Sequence, residues 1–194
     1  VETLRCSRLG PETLEDIYRE SSARREIELD QDLFPQRGES LSSTIQFINQ
    51  AAREIRQKSS RDEVIEELLG FVKAFPLVSL EDPLREDDFE GHALATQELG
   101  IEIVGDDLFT TNIERLKQGV AVGAASSMVL KITQVGSVSE AMEACRYCVT
   151  HGYNVHPCGS RGDREGIGDF AVGLNAGQVR AAGHNRLMEI EDEL

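Results

Sequence analysis

Short apolar runs alternate with amphipathic helical segments along this chain, and several of the runs end on a charged residue. The sharpest case is Met128-Val-Leu-Lys131, followed by a polar turn and then Ser137-x-x-Glu140, the spacing of a helix-opening capping box. An ammonium at the end of a buried strand is costly unless something there requires it. Leu77-Val-Ser-Leu-Glu81 ends on a carboxylate, and Glu102-Ile-Val-Gly105 runs into Asp106. Glu81, Asp106 and Lys131 follow one another at intervals of 25 residues, the length of one βα unit. Asp30 closes Ile27-Glu-Leu-Asp30, 51 residues before Glu81.

The pattern predicts strands at Glu26–Leu29, Leu77–Leu80, Glu102–Val104, Met128–Ile132, Asn154–Pro157 and Gln178–Arg180. It predicts helices at Glu12–Ser22, Ser43–Lys58, Arg61–Ala74, Phe89–Leu99, Ile113–Gly119, Ser137–His151 and Gly168–Leu174, with a loop at Pro35–Ser43. Asn112 is placed to cap the helix at Ile113, and Gly152 to end the one before Asn154. Several strands are apolar without strict alternation, as strands buried on both faces are. Such an α/β order implies parallel strands joined by right-handed crossovers. Six βα-type strands are two short of a (β/α)8 barrel, so the expected architecture is a truncated barrel or an open parallel sheet. A chain of 194 residues can bury one sizeable core, and residues 1–194 are expected to form a single domain. The chain begins at Val1 rather than Met, as expected of a fragment, a processed product or a chain shown without its upstream residues.

Charge narrows the partners. A net charge of −15 argues against binding to a nucleic-acid backbone. No apolar run approaches the roughly 20 residues of a membrane span, and no signal-peptide pattern opens the chain. Cys145 and Cys148 fall at helical spacing within an apolar helix, and Cys6 and Cys158 complete no zinc or disulfide framework. These are expected to be ordinary thiols in a reducing cytoplasm.

In a parallel barrel the carboxyl ends of the strands converge on one face, where sites are built. Asp30, Glu81, Asp106 and Lys131 would meet there. Three converging carboxylates call for a cation, and a hard divalent ion with oxygen ligands, Mg²⁺, is the natural one. A lysine beside such an ion has its ammonium disfavoured, which suits it to the role of general base. Metal and lysine together suit abstraction of a proton α to a carboxylate. The alternative for any single acid, Asp82 and Asp107 included, is a loop or helix-capping role.

From Leu14 to Leu194 the chain resembles the C-terminal barrel of the enolase (phosphopyruvate hydratase) family. The resemblance rests on Leu130-Lys-Ile-Thr-Gln-Val-Gly-Ser-Val-Ser-Glu140, on Phe75-Pro-Leu-Val-Ser-Leu-Glu-Asp-Pro83, and on Val104-Gly-Asp-Asp107. Ile27-Glu-Leu-Asp30 and the closing Asn185–Leu194 helix are similar too. It implies an enolase-type (β/α)8 barrel of which about six βα units are present, with the family's N-terminal domain and first barrel units lying before Val1. It implies Mg²⁺ on Asp30, Glu81 and Asp106, with Lys131 as the base. A small phosphorylated carboxylate, a homo-oligomer and a cytoplasmic setting also follow from it.

The departures fall on substrate contacts. The family's Ser-His-Arg-Ser-Gly-Glu loop is replaced by Cys158-Gly-Ser-Arg-Gly-Asp163, and Thr133 stands where the family usually has Asn. Ser160 and Arg161 either grip substrate phosphate after a one-position shift, or belong to a Gly-rich surface turn. The family's lysine after the last strand falls at Arg180. The family's general acid lies upstream of Val1; His156 is either a substitute acid or a satisfied strand-end histidine. His92, His151 and His184 are expected at the surface. Three readings stay open: an enolase, a paralogue acting on another phosphorylated or phosphonylated carboxylate, and an inactive interaction protein.

Overall fold

The computed structural model describes residues 60–74, 77–162, 166–180 and 184–194. The expected strand at Glu26–Leu29, the helices at Glu12–Ser22 and Ser43–Lys58, the loop at Pro35–Ser43, and Asp30 lie outside the described residues. The described residues fall into two compact units, one ending at Val78 and the other running from Ser79 to Leu194. In the first unit, helix α1 (Arg61–Ala74) opens at Ser60, whose backbone N–H and hydroxyl both donate to Glu63 Oε2 at 2.8 Å. Val64, Ile65, Leu68 and Phe71 share its buried face, at the spacing of an amphipathic helix.

The second unit runs β1 (Ser79–Glu81), α2 (Phe89–Leu99), β2 (Glu102–Gly105), α3 (Ile113–Val122), β3 (Ser127–Leu130), α4 (Ile132–Val135), α5 (Val138–Thr150), β4 (Asn154–Pro157), α6 (Gly166–Gly173) and α7 (His184–Glu193). The four strands form one parallel sheet in sequence order. They are staggered: Glu81 is level with Val104, Val104 with Ser127, and Ser127 with Asn154. Asn112 caps α3 as expected, its side chain accepting from the N–H groups of Glu114 and Arg115. Ser137 caps α5, accepting from Glu140 N–H and donating to its carboxylate at 2.6 Å. Arg186 fastens α7 to α6 through Asp169, at 3.0 Å. Among the described residues no helix is long and apolar enough to cross a membrane.

Strand geometry sends alternate side chains to opposite faces. Ile103, Met128, Leu130 and Val155 are buried, and Met128 meets α5 through Cys148, sulfur to sulfur at 3.9 Å. The other face is layered, as barrel interiors are. Its middle layer is Val104, Val129 and Cys158, a buried cluster. Below it, at the strand starts, Glu102 accepts from Ser127, from Asn154 at 2.8 Å, and lies 3.1 Å from His156 Nε2. Gln178 closes over His156 at 2.7 Å. Burial pushes the Glu102 carboxyl up, but those donors and the His156 ring outweigh it and leave it below its ordinary value.

Outside the sheet, Phe109 is wedged between β2 and α3, where only glycine fits. A Cβ on Gly105 would stand 2.4 Å from the ring, and one on Gly119 2.3 Å from it. Cys145 and Cys148 are free and buried in α5, their thiols pushed by burial up to about 11 and about 12. They are the inert helix cysteines that the spacing implied.

Three expectations are corrected. The expected strand Met128–Ile132 ends at Leu130, and Ile132 opens the short helix α4, whose first turn is closed by Gln134 N–H on Lys131 O at 3.0 Å. Gln178–Arg180 is not a strand but a single parallel bridge of Arg180 with Cys158. The bonds Arg180 N–H to Pro157 O and Gly159 N–H to Arg180 O make that rung. The next rung back would need an N–H from Pro157, which has none. His92 is fully buried rather than at the surface. It falls on the apolar face of α2 with Phe89, Ala95 and Leu99, its Nδ1 2.9 Å from Asp88 O.

Gly119→Ala is expected to cost about 1–3 kcal/mol by overpacking against Phe109. Urea denaturation measures this, and Phe109→Leu in the same chain should recover part of it. Glu102 has a depressed folded value, so its stabilising effect is present above the unfolded value of 4.5 and lost as pH falls through the folded one. Glu102→Gln should therefore flatten the acid limb of a stability profile below about pH 5.

Candidate active site

The top layer of the same face carries the charged residues. Lys131 follows the last residue of β3 and is 5% exposed. Its Nζ donates to both carboxylate oxygens of Asp106, at 2.7 and 2.5 Å. Asp106 follows β2 and is 7% exposed. An ion pair this buried is tolerable only because each partner satisfies the other at close range. Glu81, last residue of β1, accepts from Arg180 Nη1. Arg180 Nη2 lies 3.4 Å from Asp106 Oδ2, so one guanidinium spans two carboxylates.

Two further side chains hold this arrangement in place. Asp82, at a positive φ of 42°, accepts from the N–H groups of Asp106 at 3.0 Å, Asp107 at 2.8 Å and Leu108 at 3.4 Å. It fixes the backbone on which Asp106 sits. Burial nevertheless raises its carboxyl above the ordinary value, more than the three backbone donors lower it. Thr111 is fully buried at φ 55°. Its Oγ1 donates to Val129 O at 3.2 Å and accepts from Lys131 N–H at 3.0 Å. The hydroxyl thus takes over the backbone pairing where β3 stops and sets where Lys131 leaves the strand. Thr110, also at positive φ, precedes it, so the turn after β2 carries two adjacent left-handed residues that are not glycine. Such backbone persists only where its surroundings enforce it.

Of the residues singled out in the sequence, Glu81, Asp106, Lys131 and Arg180 are brought together. Ser160 lies at the edge: the Cys158 thiol is 3.2 Å from its Oγ, and Arg180 Nε lies 3.4 Å from that thiol. Arg161 is exposed, and its carbonyl accepts from Thr133 Oγ1 at 3.2 Å, which ties the loop after β4 to α4. His156 is committed to Glu102 in the lower layer, the satisfied alternative, rather than to this cluster. Asp107 is exposed in the turn. Asp82, Thr111 and Cys158 were not assigned to the site. Asp82 had a sequence signal, its place beside Glu81; Thr111 had none, because its partners lie 18 and 20 residues away.

The donor set suits a hard divalent cation. Glu81, Asp82 and Asp106 each bring a carboxylate oxygen within 4.8 Å of the others. Glu81 and Asp106 are the members whose oxygens face cationic side chains, whereas Asp82 is spent on backbone N–H groups.

Parallel staggered strands, a layered interior and charged groups at the strand ends define an α/β barrel-type protein with a carboxylate–ammonium centre. Residues 40–194 match the family described as "Enolase, C-terminal TIM barrel domain". The chain belongs to the enolase family, within its C-terminal TIM barrel domain. It is 45% identical over 151 residues to the enolase of Methanopyrus kandleri, covering 71% of this chain and 35% of that protein. It is 46% identical over 150 residues to an enolase of Methanococcus maripaludis (71% and 35%) and 43% over 147 to that of Pyrococcus furiosus (69% and 34%). The chain therefore spans about a third of the length of the curated relatives it matches.

Thr111→Val keeps the shape but removes the hydroxyl from a buried acceptor and donor. It should lower stability by about 1–3 kcal/mol in urea denaturation. Thr111→Ser, which keeps the hydroxyl, should recover most of the difference.

Proposed function

We propose that this chain is the C-terminal barrel part of an enolase-like lyase, forming a single domain. Its reaction is the Mg²⁺-assisted dehydration of 2-phosphoglycerate to phosphoenolpyruvate. The observation that carries the reading is the Lys131 amine held at the end of β3 against Asp106, with Glu81 and Arg180 beside it. Buried at a strand end and held by Asp106, this side chain is presented to the site rather than to bulk water.

In this reading Lys131 Nζ, in its neutral amine form, takes the proton from the carbon bearing the carboxylate; the electron pair left there forms the double bond as hydroxide leaves from the next carbon, protonated to water by a general acid outside the described residues. Glu81 and Asp106, with Asp30, would hold Mg²⁺. That ion, when bound, supplies positive charge for the substrate carboxylate during proton abstraction. Arg180, and Ser160 and Arg161 from the loop after β4, would face the anionic groups of the substrate. Thr111 and Asp82 position Lys131 and Asp106 and touch no substrate. A homo-oligomer in the cytoplasm is the setting proposed.

A second reading is supported by the loop Cys158–Gly162 and by Arg180. These depart from the family's pattern at substrate contacts, while the carboxylate–lysine core keeps it. It is a paralogue with the same proton abstraction on a different phosphorylated or phosphonylated carboxylate.

Lys131→Ala should lower exchange of the substrate α-proton with solvent by about 10²- to 10⁴-fold, followed by NMR in deuterium oxide. Unchanged exchange would remove Lys131 as the base. Conversion of 2-phosphoglycerate by the full-length protein separates the two readings: turnover supports the enolase. Exchange or turnover only with another phosphorylated acid supports the paralogue.

A further inference from the structure

Among the described residues, every carboxylate of the top layer already has a donor. Both oxygens of Asp106 face Lys131, and Oδ2 also faces Arg180. Glu81 faces Arg180, and Asp82 faces three backbone N–H groups. Two cations of the chain, Lys131 and Arg180, thus stand against Glu81 and Asp106, while Asp82 is met by neutral backbone groups. A divalent cation that binds Glu81 and Asp106 therefore enters against the positive charge of Lys131 and Arg180.

Asp82, Lys131 and Arg180 differ in how firmly they are held. Asp82 cannot turn without releasing the backbone of residues 106–108. The Lys131 side chain is 6% exposed, rooted at the strand end that Thr111 fixes, and close to both Asp106 oxygens. The Arg180 side chain is 36% exposed, its Glu81 partner 34%, and its contact with Asp106 is long at 3.4 Å. Its backbone is tied to the sheet by a single bridge to Cys158. Half-exposed ion pairs contribute little net free energy, so the guanidinium can leave at small cost. A divalent ion between Glu81 and Asp106 would also repel a guanidinium held within contact distance.

We propose that Arg180 is a built-in counter-ion of this site: its guanidinium occupies Glu81 and Asp106 in the metal-free protein, and an entering divalent cation must displace it. The proposal rests on the metal reading given above and makes Arg180 a specificity-determining residue for the cation. Arginine and lysine differ here, because the planar fork meets the two carboxylates from separate nitrogens, Nη1 and Nη2, whereas a lysine would bring a single ammonium. The competition lowers the affinity for the cation and stabilises the metal-free protein.

The test is Mn²⁺ binding by the full-length protein, read from the electron paramagnetic resonance signal of free Mn²⁺, with melting temperature in EDTA as a second readout. Arg180→Gln should bind Mn²⁺ about three- to tenfold more tightly than wild type and melt at a lower temperature in EDTA. Arg180→Lys keeps the charge but loses the fork, and it too should bind Mn²⁺ more tightly than wild type. Affinity in Arg180→Gln that is equal to or weaker than wild type would overturn the proposal. So would tighter binding in Arg180→Gln with Arg180→Lys at the wild-type value, since that is an effect of charge alone. If neither wild type nor variants bind Mn²⁺ while all fold by circular dichroism, the metal reading falls and the counter-ion role with it.

Discussion

The contact between Lys131 and Asp106 is the interaction on which the rest of this structure depends. Burying either charge alone would cost several kcal/mol, whereas burying them together is tolerable only if the geometry is held. Much of the surrounding structure holds it. Thr111 ends β3 with a hydroxyl in place of a strand partner, and Asp82 gathers the three N–H groups after β2. Phe109, wedged against Gly105 and Gly119, locks the same turn from the helix side. The turn after β2 therefore answers to both ends of the molecule's chemistry: apolar packing below it and charge pairing above.

The layering of the sheet face explains how charge can be placed there at all. The middle layer of Val104, Val129 and Cys158 separates two polar layers that solve the burial problem differently. At the strand starts Glu102 is surrounded by neutral or weakly basic donors, from Ser127, Asn154 and His156, and has no role beyond satisfying them. At the strand ends the carboxylates face an ammonium and a guanidinium, and in the proposal above it is the guanidinium that yields to a metal ion. A closed polar layer confers stability, and an exchangeable one confers chemistry. The stagger of the strands brings Arg180, from a segment with only one bridge to the sheet, across to Glu81, 99 residues away in sequence.

Much of this was legible in the sequence, because period and spacing are local properties. The strands at Glu102 and Asn154, the helices at Arg61 and Phe89, and the caps at Asn112 and Ser137 follow from alternation, turn residues and hydroxyl or amide side chains at helix starts. What misled was equally physical. Ile132 is β-branched and extends an apolar run, yet the chain turns helical there once Thr111 has taken the strand's next partner position. Gln178-Val-Arg180 has strand character, but its neighbour offers Pro157 in place of a donor. His92 was expected at the surface as a helix histidine, although its register with Phe89, Ala95 and Leu99 places it inside.

The sequence by itself determined that charged residues recur at the ends of apolar strands, 25 residues apart, and that the fold class is parallel α/β with the enolase family's motifs. It determined this because one βα unit has a characteristic length and a strand sorts its side chains by alternation. Only the tertiary structure decided which charges meet. It paired Lys131 with Asp106 and Arg180 with Glu81, spent Asp82 on backbone groups, turned His156 away to Glu102 and left Arg161 at the edge. Those outcomes depend on strand stagger and on hydrogen bonds between residues far apart in the chain, and no local pattern encodes either.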